Sequence, residues 1–307
     1  MPFAAFAQAL LAALSLPTSP TPSSPDAVPA LTPRQKAALV VVSGLPAPSG
    51  VGGVLVRAWD RDAPRPPSAL VFVDQEGGEV RAFPELPPTA APASYATPAA
   101  AREAGRETGR ALRGAGVHVD LAPVVDLATG PLGARHFRTP ALALAFARGL
   151  EEGGAGACVK HYPGLGTAAV TTDAKVWVPA RVVPRELGAF RSALRGGVAC
   201  VMTSHAVYRR YGWKRALTSP EAYEAIRETG YDGVVVTDSL SIISSGPWPV
   251  RWAVLALRAG ADMVLFTSPA HARRAIAALV PLARRGELDE HVARVLELRR
   301  GFTLDAP

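Results

Sequence analysis

The segment 156–166, GACVKHYPGLG, runs from a short apolar stretch into a Lys-His pair and a Pro-Gly-x-Gly turn. An apolar run without alternation is what a strand covered on both faces needs, and such strands belong to parallel sheets. The polar pair then falls at the strand's carboxyl end. Six other segments repeat the form: GGVLV (52–56), SALVFVD (68–74), VHVDLAPVVD (117–126), ACVMTSH (199–205), GVVVTDS (233–239) and ADMVLF (261–266). Helical patterns closed by Gly lie between them, among them PALALAFARGLEEGG and PRELGAFRSALRGG. An earlier helix, LTPRQKAALVV, opens on a Thr cap with Pro at its first position.

Seven or eight β–α units in one chain predict an α/β fold, a (β/α)8 TIM-type barrel forming a single domain over 31–307. A doubly wound sheet is the alternative, but no G-x-G-x-x-G follows the first strand. In a barrel the carboxyl ends of the strands form the active-site face. Polar residues collect at those ends: Asp74, Asp120, Asp126, Lys160-His161, Ser204-His205 and Asp238.

The 307 residues are 49% hydrophobic and 19% charged, with a net charge of +7. The basic residues are scattered and form no aromatic-interleaved stripe, so nucleic acid is not expected as a partner. An anionic polymer fits the mild positive balance equally well. Residues 1–30 join an uncharged apolar stretch, MPFAAFAQALLAALSLP, to a Pro/Ser/Thr-rich linker. The stretch is too short for a membrane span and suits the apolar core of a secretory signal, although no basic residue precedes it. Export is the expectation, with an N-terminal extension on a cytoplasmic protein as the alternative, and no later segment is long and apolar enough to span a bilayer. Cys158 and Cys200 each end an apolar run and are expected as two buried free thiols. Neither has metal-ligand spacing, and no metal or cofactor is expected. Oligomeric state is not legible.

Four segments carry chemistry. VDQEGGEVRAF (73–83) sets an acidic pair at a strand tip before a Gly-Gly turn. GARHF (133–137) offers an Arg in a loop, KHYPGLG a cation and an imidazole, and YDGVVVTDSLSI (231–242) places Asp238 at a strand end. Hydrogen-bond donors with a few carboxylates suit a neutral, hydroxyl-rich ligand that reacts through a cationic transition state. Sugars fit, because glycosidic cleavage uses a carboxylate nucleophile beside a proton donor.

In order and spacing these segments resemble the bacterial β-N-acetylglucosaminidases (β-hexosaminidases) of glycoside hydrolase family 3, from about Leu31 to Phe302. That family carries D-x-E-G-G-x-V, R-S-F, K-H-F-P-G-x-G and S-D-x-L-S-M. They stand here as Asp74–Val80, Arg135-His136-Phe137, Lys160–Gly166 and Thr237–Ile242. The resemblance implies a retaining exo-β-glycosidase acting on terminal β-N-acetylglucosaminides of cell-wall origin. It puts Asp238 in the nucleophile's place, forming a covalent glycosyl-enzyme. Asp74, Arg135, Lys160 and His161 would hold the sugar's hydroxyls. His205 also matches a family position, as pocket wall or as a satisfied core histidine. Read without the family, Asp238 would be a helix N-cap, and Lys160-His161 would make a structural ion pair with a barrel carboxylate.

Two departures from the pattern stand out. The family's Arg eight residues after the first Asp is replaced by Ala82, with Arg81 beside it. The loop after the K-H motif, where the family keeps an Asp-x-His acid/base dyad, contains no His. Asp173 falls at the position of the dyad His; slid by two residues, it meets the dyad Asp and Lys175 replaces the His. A carboxylic acid raised by partial burial can protonate a leaving group, whereas a Lys stays charged unless strongly desolvated. Asp173 is therefore the remaining candidate acid/base, against a plain turn-capping role in TTDA. Two other readings stay open: a pseudo-enzyme that binds glycans, and a β-glycosidase of different sugar specificity.

Overall fold

The computed structural model describes residues 28, 30–127 and 130–304. Most of the predicted signal-like segment and linker, 1–30, lies outside the described residues. Eight strands form the barrel: β1 (Val41–Gly44), β2 (Gly53–Val56), β3 (Leu70–Val73), β4 (Val119–Asp120), β5 (Gly156–Tyr162), β6 (Cys200–Thr203), β7 (Val234–Thr237) and β8 (Val264–Phe266). Each pairs in parallel with the next. The ring closes through β8 on β1 and through a Val236–Met263 bridge between β7 and β8. The expected TIM-type barrel is the observed fold.

β1 adds a strand that the sequence reading left inside the first helix. The helix α1 (Pro33–Leu39) does start at Thr32, whose side chain and that of Gln35 cap each other reciprocally. It stops at Leu39, and the chain continues straight into β1 with no turn residue to mark the change. The outer ring is completed by α2 (Pro98–Gly114), α3 (Pro140–Glu152), α4 (Pro184–Arg195), α5 (Pro220–Arg227), α6 (Pro249–Ala259), α7 (Pro269–Arg284) and α8 (Asp289–Gly301). The connections 45–52 and 57–69 carry no helix.

Alternate residues of each strand divide between two cores. Val42, Leu55, Phe72, Leu121, Cys158, Met202, Val236 and Leu265 fill the barrel interior. Their neighbours, such as Val41, Val54, Val73 and Val235, pack outward under the helices. Both strand faces are thus apolar, which is why the runs do not alternate. Val295 of α8 joins the interior cluster, with Leu298, Phe302 and Leu304 packed on it. Arg299 of the same helix donates to the Ser68 carbonyl just before β3, so α8 stoppers the barrel's amino end. The functional residues are left to the opposite end.

The cysteines correct an expectation. Cys158 and Cys200 are not free thiols but a disulfide, with Cα atoms 4.4 Å apart. They face each other because β5 and β6 pair with Cys158 opposite Cys200, a register that no local pattern announces.

Candidate active site

Carboxyl ends of β3, β5 and β7, with the loops after β4 and β5, surround a cavity of about 240 Å³. Pockets for drug-sized molecules run to roughly 300–1,000 Å³, so this one suits a single small ring. Asp74, Arg135, Lys160, His161, Asp173 and Asp238 all line it. Six of the seven residues singled out in the sequence are brought together there.

On one side of the cavity lies a buried ion network. Lys160 Nζ is 2.6 Å from Asp74 Oδ1 and 2.6 Å from Glu76 Oε1. Arg135 reaches the same Glu76 with two parallel bonds of 2.7 Å each, the fork geometry that gives a guanidinium–carboxylate pair its strength. Burial alone would raise the Glu76 carboxyl, but Lys160 and Arg135 overcome it and hold the pKa down to about 2. Lys160 is itself fully buried, yet its two carboxylates hold its pKa above the ordinary lysine value. Glu76 is the residue the sequence reading undervalued. It is the second acid of the quoted pair, two positions after Asp74, and the tight turn behind it depends on glycine. At Gly77, with φ +106°, a Cβ would lie 2.4 Å from the Ala90 carbonyl oxygen.

Asp120, at the tip of β4, lies beneath this network. One of its oxygens accepts from the Gln75 N–H at 2.9 Å. Burial pushes its pKa up to about 8, so it is neutral at pH 7 and adds no third negative charge.

The KHYPGLG turn is tied down by two acids of its own. Asp126 accepts from the His161 and Leu165 N–H groups and lies 2.7 Å from His161 Nδ1. A carboxylate only accepts, so Nδ1 carries the proton and Nε2 is left for the cavity. Glu186, from the first turn of α4, accepts from the Leu127 and Gly166 N–H groups. Gly164 (φ +129°) passes so close that a Cβ there would sit 2.5 Å from the Glu186 carboxyl carbon. The Lys160–His161 peptide is cis.

Asp238 follows β7. Its N–H donates to the Thr203 carbonyl, and its Oδ1 accepts from the Ser239 N–H at 2.7 Å, which fixes the carboxylate at the cavity wall. It caps no helix: the short 3-10 turn Ile243–Ser245 is entered at Ile242, and α6 begins eleven residues after Asp238. His205 does not line the cavity. It is buried behind this segment, its Nε2 3.0 Å from the Ser239 carbonyl oxygen, and burial lowers its pKa to about 4. A neutral imidazole donating Nε2–H holds the strand end that carries Asp238. The structure thus places His205 as a core histidine that supports the wall.

Across from Asp238 is the loop without histidine. A turn closes from the Ala174 N–H to the Thr171 carbonyl, with Asp173 near its tip. The Asp173 carboxyl has no hydrogen-bond partner among the described residues, so it does not cap the turn. Partial burial raises its pKa above the ordinary aspartate value, and the charge of Asp238 raises it further. Lys175 is exposed and does not line the cavity. The loop is clipped to the segment after β7: the Ser244 hydroxyl lies 2.5 Å from the Thr172 carbonyl oxygen and 2.6 Å from that of Lys175. Arg215 donates to the carbonyls of Val176 and Ser244 and stacks on Trp252.

Arg81 does not take over from the family arginine that Ala82 replaces. Its guanidinium donates to the carbonyls of Gly78 and Pro84, and it does not line the cavity.

Comparison with known proteins agrees with this geometry. Residues 55–298 match the family model described as the glycosyl hydrolase family 3 N terminal domain. The chain is 34% identical over 236 residues to a beta-hexosaminidase of Methylococcus capsulatus, covering 68% of this chain and 70% of that protein. It is 35% identical over 254 residues to a beta-hexosaminidase of Thioalkalivibrio sulfidiphilus, covering 70% of each. Among solved structures, a family 3 beta-N-acetylglucosaminidase from Paenibacillus superposes with a TM-score of 0.79 at 28% identity. That match covers 91% of this chain and 64% of the other. A beta-N-acetylhexosaminidase from Beutenbergia cavernae gives a TM-score of 0.78 at 28% identity, covering 88% and 99%. A single barrel, a pocket of acids and cations at its carboxyl end, and a family model spanning most of the chain give one answer: this protein belongs to glycosyl hydrolase family 3, as a glycoside hydrolase.

Proposed function

We propose that the protein is a retaining exo-β-N-acetylhexosaminidase that releases terminal β-N-acetylglucosamine, with Asp238 as nucleophile and Asp173 as acid/base. The observation that carries this reading is that both carboxyl groups line one small cavity and that Asp173 is held more protonated than an ordinary aspartate. In the first step the Asp238 carboxylate attacks the anomeric carbon while the bond to the leaving oxygen breaks and that oxygen takes the Asp173 proton. In the second, Asp173 takes a proton from water as the water oxygen displaces Asp238, and the anomeric configuration is retained. Lys160, Asp74, Arg135 and His161 would grip the ring hydroxyls, donors and acceptors being interleaved around it.

Cell-wall glycan is the proposed source of substrate. Export, expected from the apolar stretch at residues 1–17, would fit this source, and the Cys158–Cys200 disulfide suits an oxidising compartment. The purified protein should hydrolyse 4-nitrophenyl β-N-acetylglucosaminide in preference to the β-glucoside and β-xyloside, and proton NMR should show the β-anomer as first product. First-formed α-anomer overturns the retaining mechanism. Preference for another glycoside overturns the sugar assignment. If every aryl glycoside is inert while N-acetylglucosamine binds, the protein is a glycan-binding descendant of the enzymes.

A further inference from the structure

A second concavity, of about 680 Å³, lies outside the catalytic cavity. Arg181, Arg191, Arg209 and Arg210 line it, over an apolar floor that includes Val182 and Leu187. Among the described residues none of these four guanidinium groups makes an ion pair or a side-chain hydrogen bond. Some arginines elsewhere are ion-paired, as Arg57 is with Asp60 and Arg227 with Asp262. Four unpaired ones gathered in one groove are a different arrangement.

The gathering is built into the fold. Arg181 and Arg191 come from the entry and body of α4, and Arg209 and Arg210 follow the short strand Val207–Tyr208. That strand pairs with Pro179–Ala180, which brings the two halves of the groove together. Pro184, the first residue of α4, also lines the groove, and no side chain caps this helix at Val183.

We propose that this groove is an accessory binding site for an anionic polysaccharide, one that bears carboxylate or phosphate groups along its length. Four like charges set close together attract a polyanion by releasing its counterions. The apolar floor suits the C–H faces of sugar rings. The lining holds no aromatic ring on which bases would stack, as single-stranded nucleic acid requires. Arg181 is eight residues beyond Asp173, so the groove starts within roughly 29 Å of the proposed acid/base. A polymer bound there can present its end to the cavity. The groove's binding role is argued from its own charges and stands or falls separately from the catalytic reading.

The test measures binding of fluorescein-labelled polygalacturonate to the full chain by fluorescence anisotropy. The wild type should bind with an affinity that falls steeply with salt. The variant R181Q/R191Q/R209Q/R210Q should bind at least about tenfold more weakly with a flatter salt slope. The variant R34Q/R110Q/R273Q/R284Q removes the same net charge at exposed positions on α1, α2 and α7, and should bind as the wild type does. Both should hydrolyse an aryl glycoside at the wild-type rate. Should the groove variant fail to fold, R191Q/R210Q should show part of the same loss. Equal loss in groove and control variants overturns the proposal, because binding then follows total charge. So does absence of binding in the wild type, or a single-stranded DNA 30-mer binding more tightly than the polysaccharide.

Discussion

On one side of the catalytic cavity, Lys160 is 2% exposed and held by two carboxylates, one of which is also gripped by Arg135. On the other side, Asp173 sits in an exposed turn with no hydrogen-bonded partner among the described residues. The first side presents a fixed array of donors and acceptors whose charges cancel locally, as Asp74 and Glu76 balance Lys160 and Arg135. The second presents one carboxyl group outside the ion network, with its pKa raised by partial burial and by the charge of Asp238. Gripping a sugar needs geometry that does not change during the reaction. Transferring a proton needs a group whose charge does change, and burying that group in an ion network would lock it in one state. Under the proposed mechanism, the division between the two sides matches what each would have to do.

The largest effect should come from Asp238, which faces both sides. Asp238→Ala should lower kcat on 4-nitrophenyl β-N-acetylglucosaminide by on the order of 10⁴-fold or more, the scale seen when a nucleophile is removed. Its melting temperature should stay near that of the wild type, because the Asp238 side chain accepts only the adjacent Ser239 N–H. Activity near wild type would transfer the nucleophile's role elsewhere.

Glu76→Gln tests the gripping side. Gln keeps the shape and removes the charge, leaving buried Lys160 and half-buried Arg135 with one carboxylate fewer. Breaking a buried pair in this way costs about 3–5 kcal/mol, visible as a large drop in melting temperature. The pH dependence has a definite sign. The Glu76 pKa is depressed in the folded state, so its contribution is complete above the ordinary glutamate value of 4.5 and is lost as pH falls toward about 2. The difference in stability between wild type and variant should therefore shrink between pH 4.5 and 2. A constant difference across that range would mean that the charge of Glu76 does not carry it.

Asp173→Ala tests the other side. The loss should be roughly 10²–10⁴-fold on glycosides with poor leaving groups, and far smaller on a nitrophenyl glycoside, whose leaving group departs without a proton. Azide should restore turnover on the activated substrate, since it attacks the glycosyl-enzyme without a base. The raised pKa of Asp173 keeps it protonated above the range of an ordinary aspartate. The first step should slow as pH rises through that value, and the variant should lose this limb. If poor and good leaving groups suffer equally, Asp173 is not the proton donor.

What the sequence disclosed divides along the same line. Strand tips were legible because a strand buried on both faces is an uninterrupted apolar run, so the first polar residue after it marks the end of the barrel. Asp74, Lys160 and Asp238 were found in this way. Glu76 was in the quoted acidic pair, but its link to Lys160 and Arg135 joins residues 59 and more positions apart and has no local signature. The disulfide was missed for a related reason. Cys158 and Cys200 meet through the register of β5 on β6, and a shift of one residue would have parted them. β1 was hidden because AALVVV is apolar throughout, yet its first three residues end a helix and its last two begin a strand. His205 shows the limit from the other side: its position was legible, but whether it faced the cavity or the core depended on the Ser239 carbonyl behind Asp238.

The smallest expected effect concerns what holds Asp173 in place. Its loop is fastened by Ser244, whose single hydroxyl proton is shared between the Thr172 and Lys175 carbonyls. Ser244→Ala removes that clip while Arg215 still holds Val176. A lost neutral hydrogen bond of this kind is worth about 0.5–1.5 kcal/mol, so the melting temperature should move only a little. In the proposed role as proton donor, however, Asp173 depends on a position fixed to within a fraction of an ångström. The variant should therefore lose a few-fold to about tenfold in kcat on poor leaving groups, keep its rate on the nitrophenyl glycoside, and bind sugar normally. That selective pattern is a weaker copy of Asp173→Ala, and a merely structural role for Ser244 would not produce it. Lys175→Ala provides the comparison on the same loop. Its side chain is exposed and away from the cavity, and only its carbonyl engages Ser244. It should match the wild type on every substrate. A leaving-group-dependent loss in Lys175→Ala would make the lysine, and not the aspartate, the proton carrier of this loop.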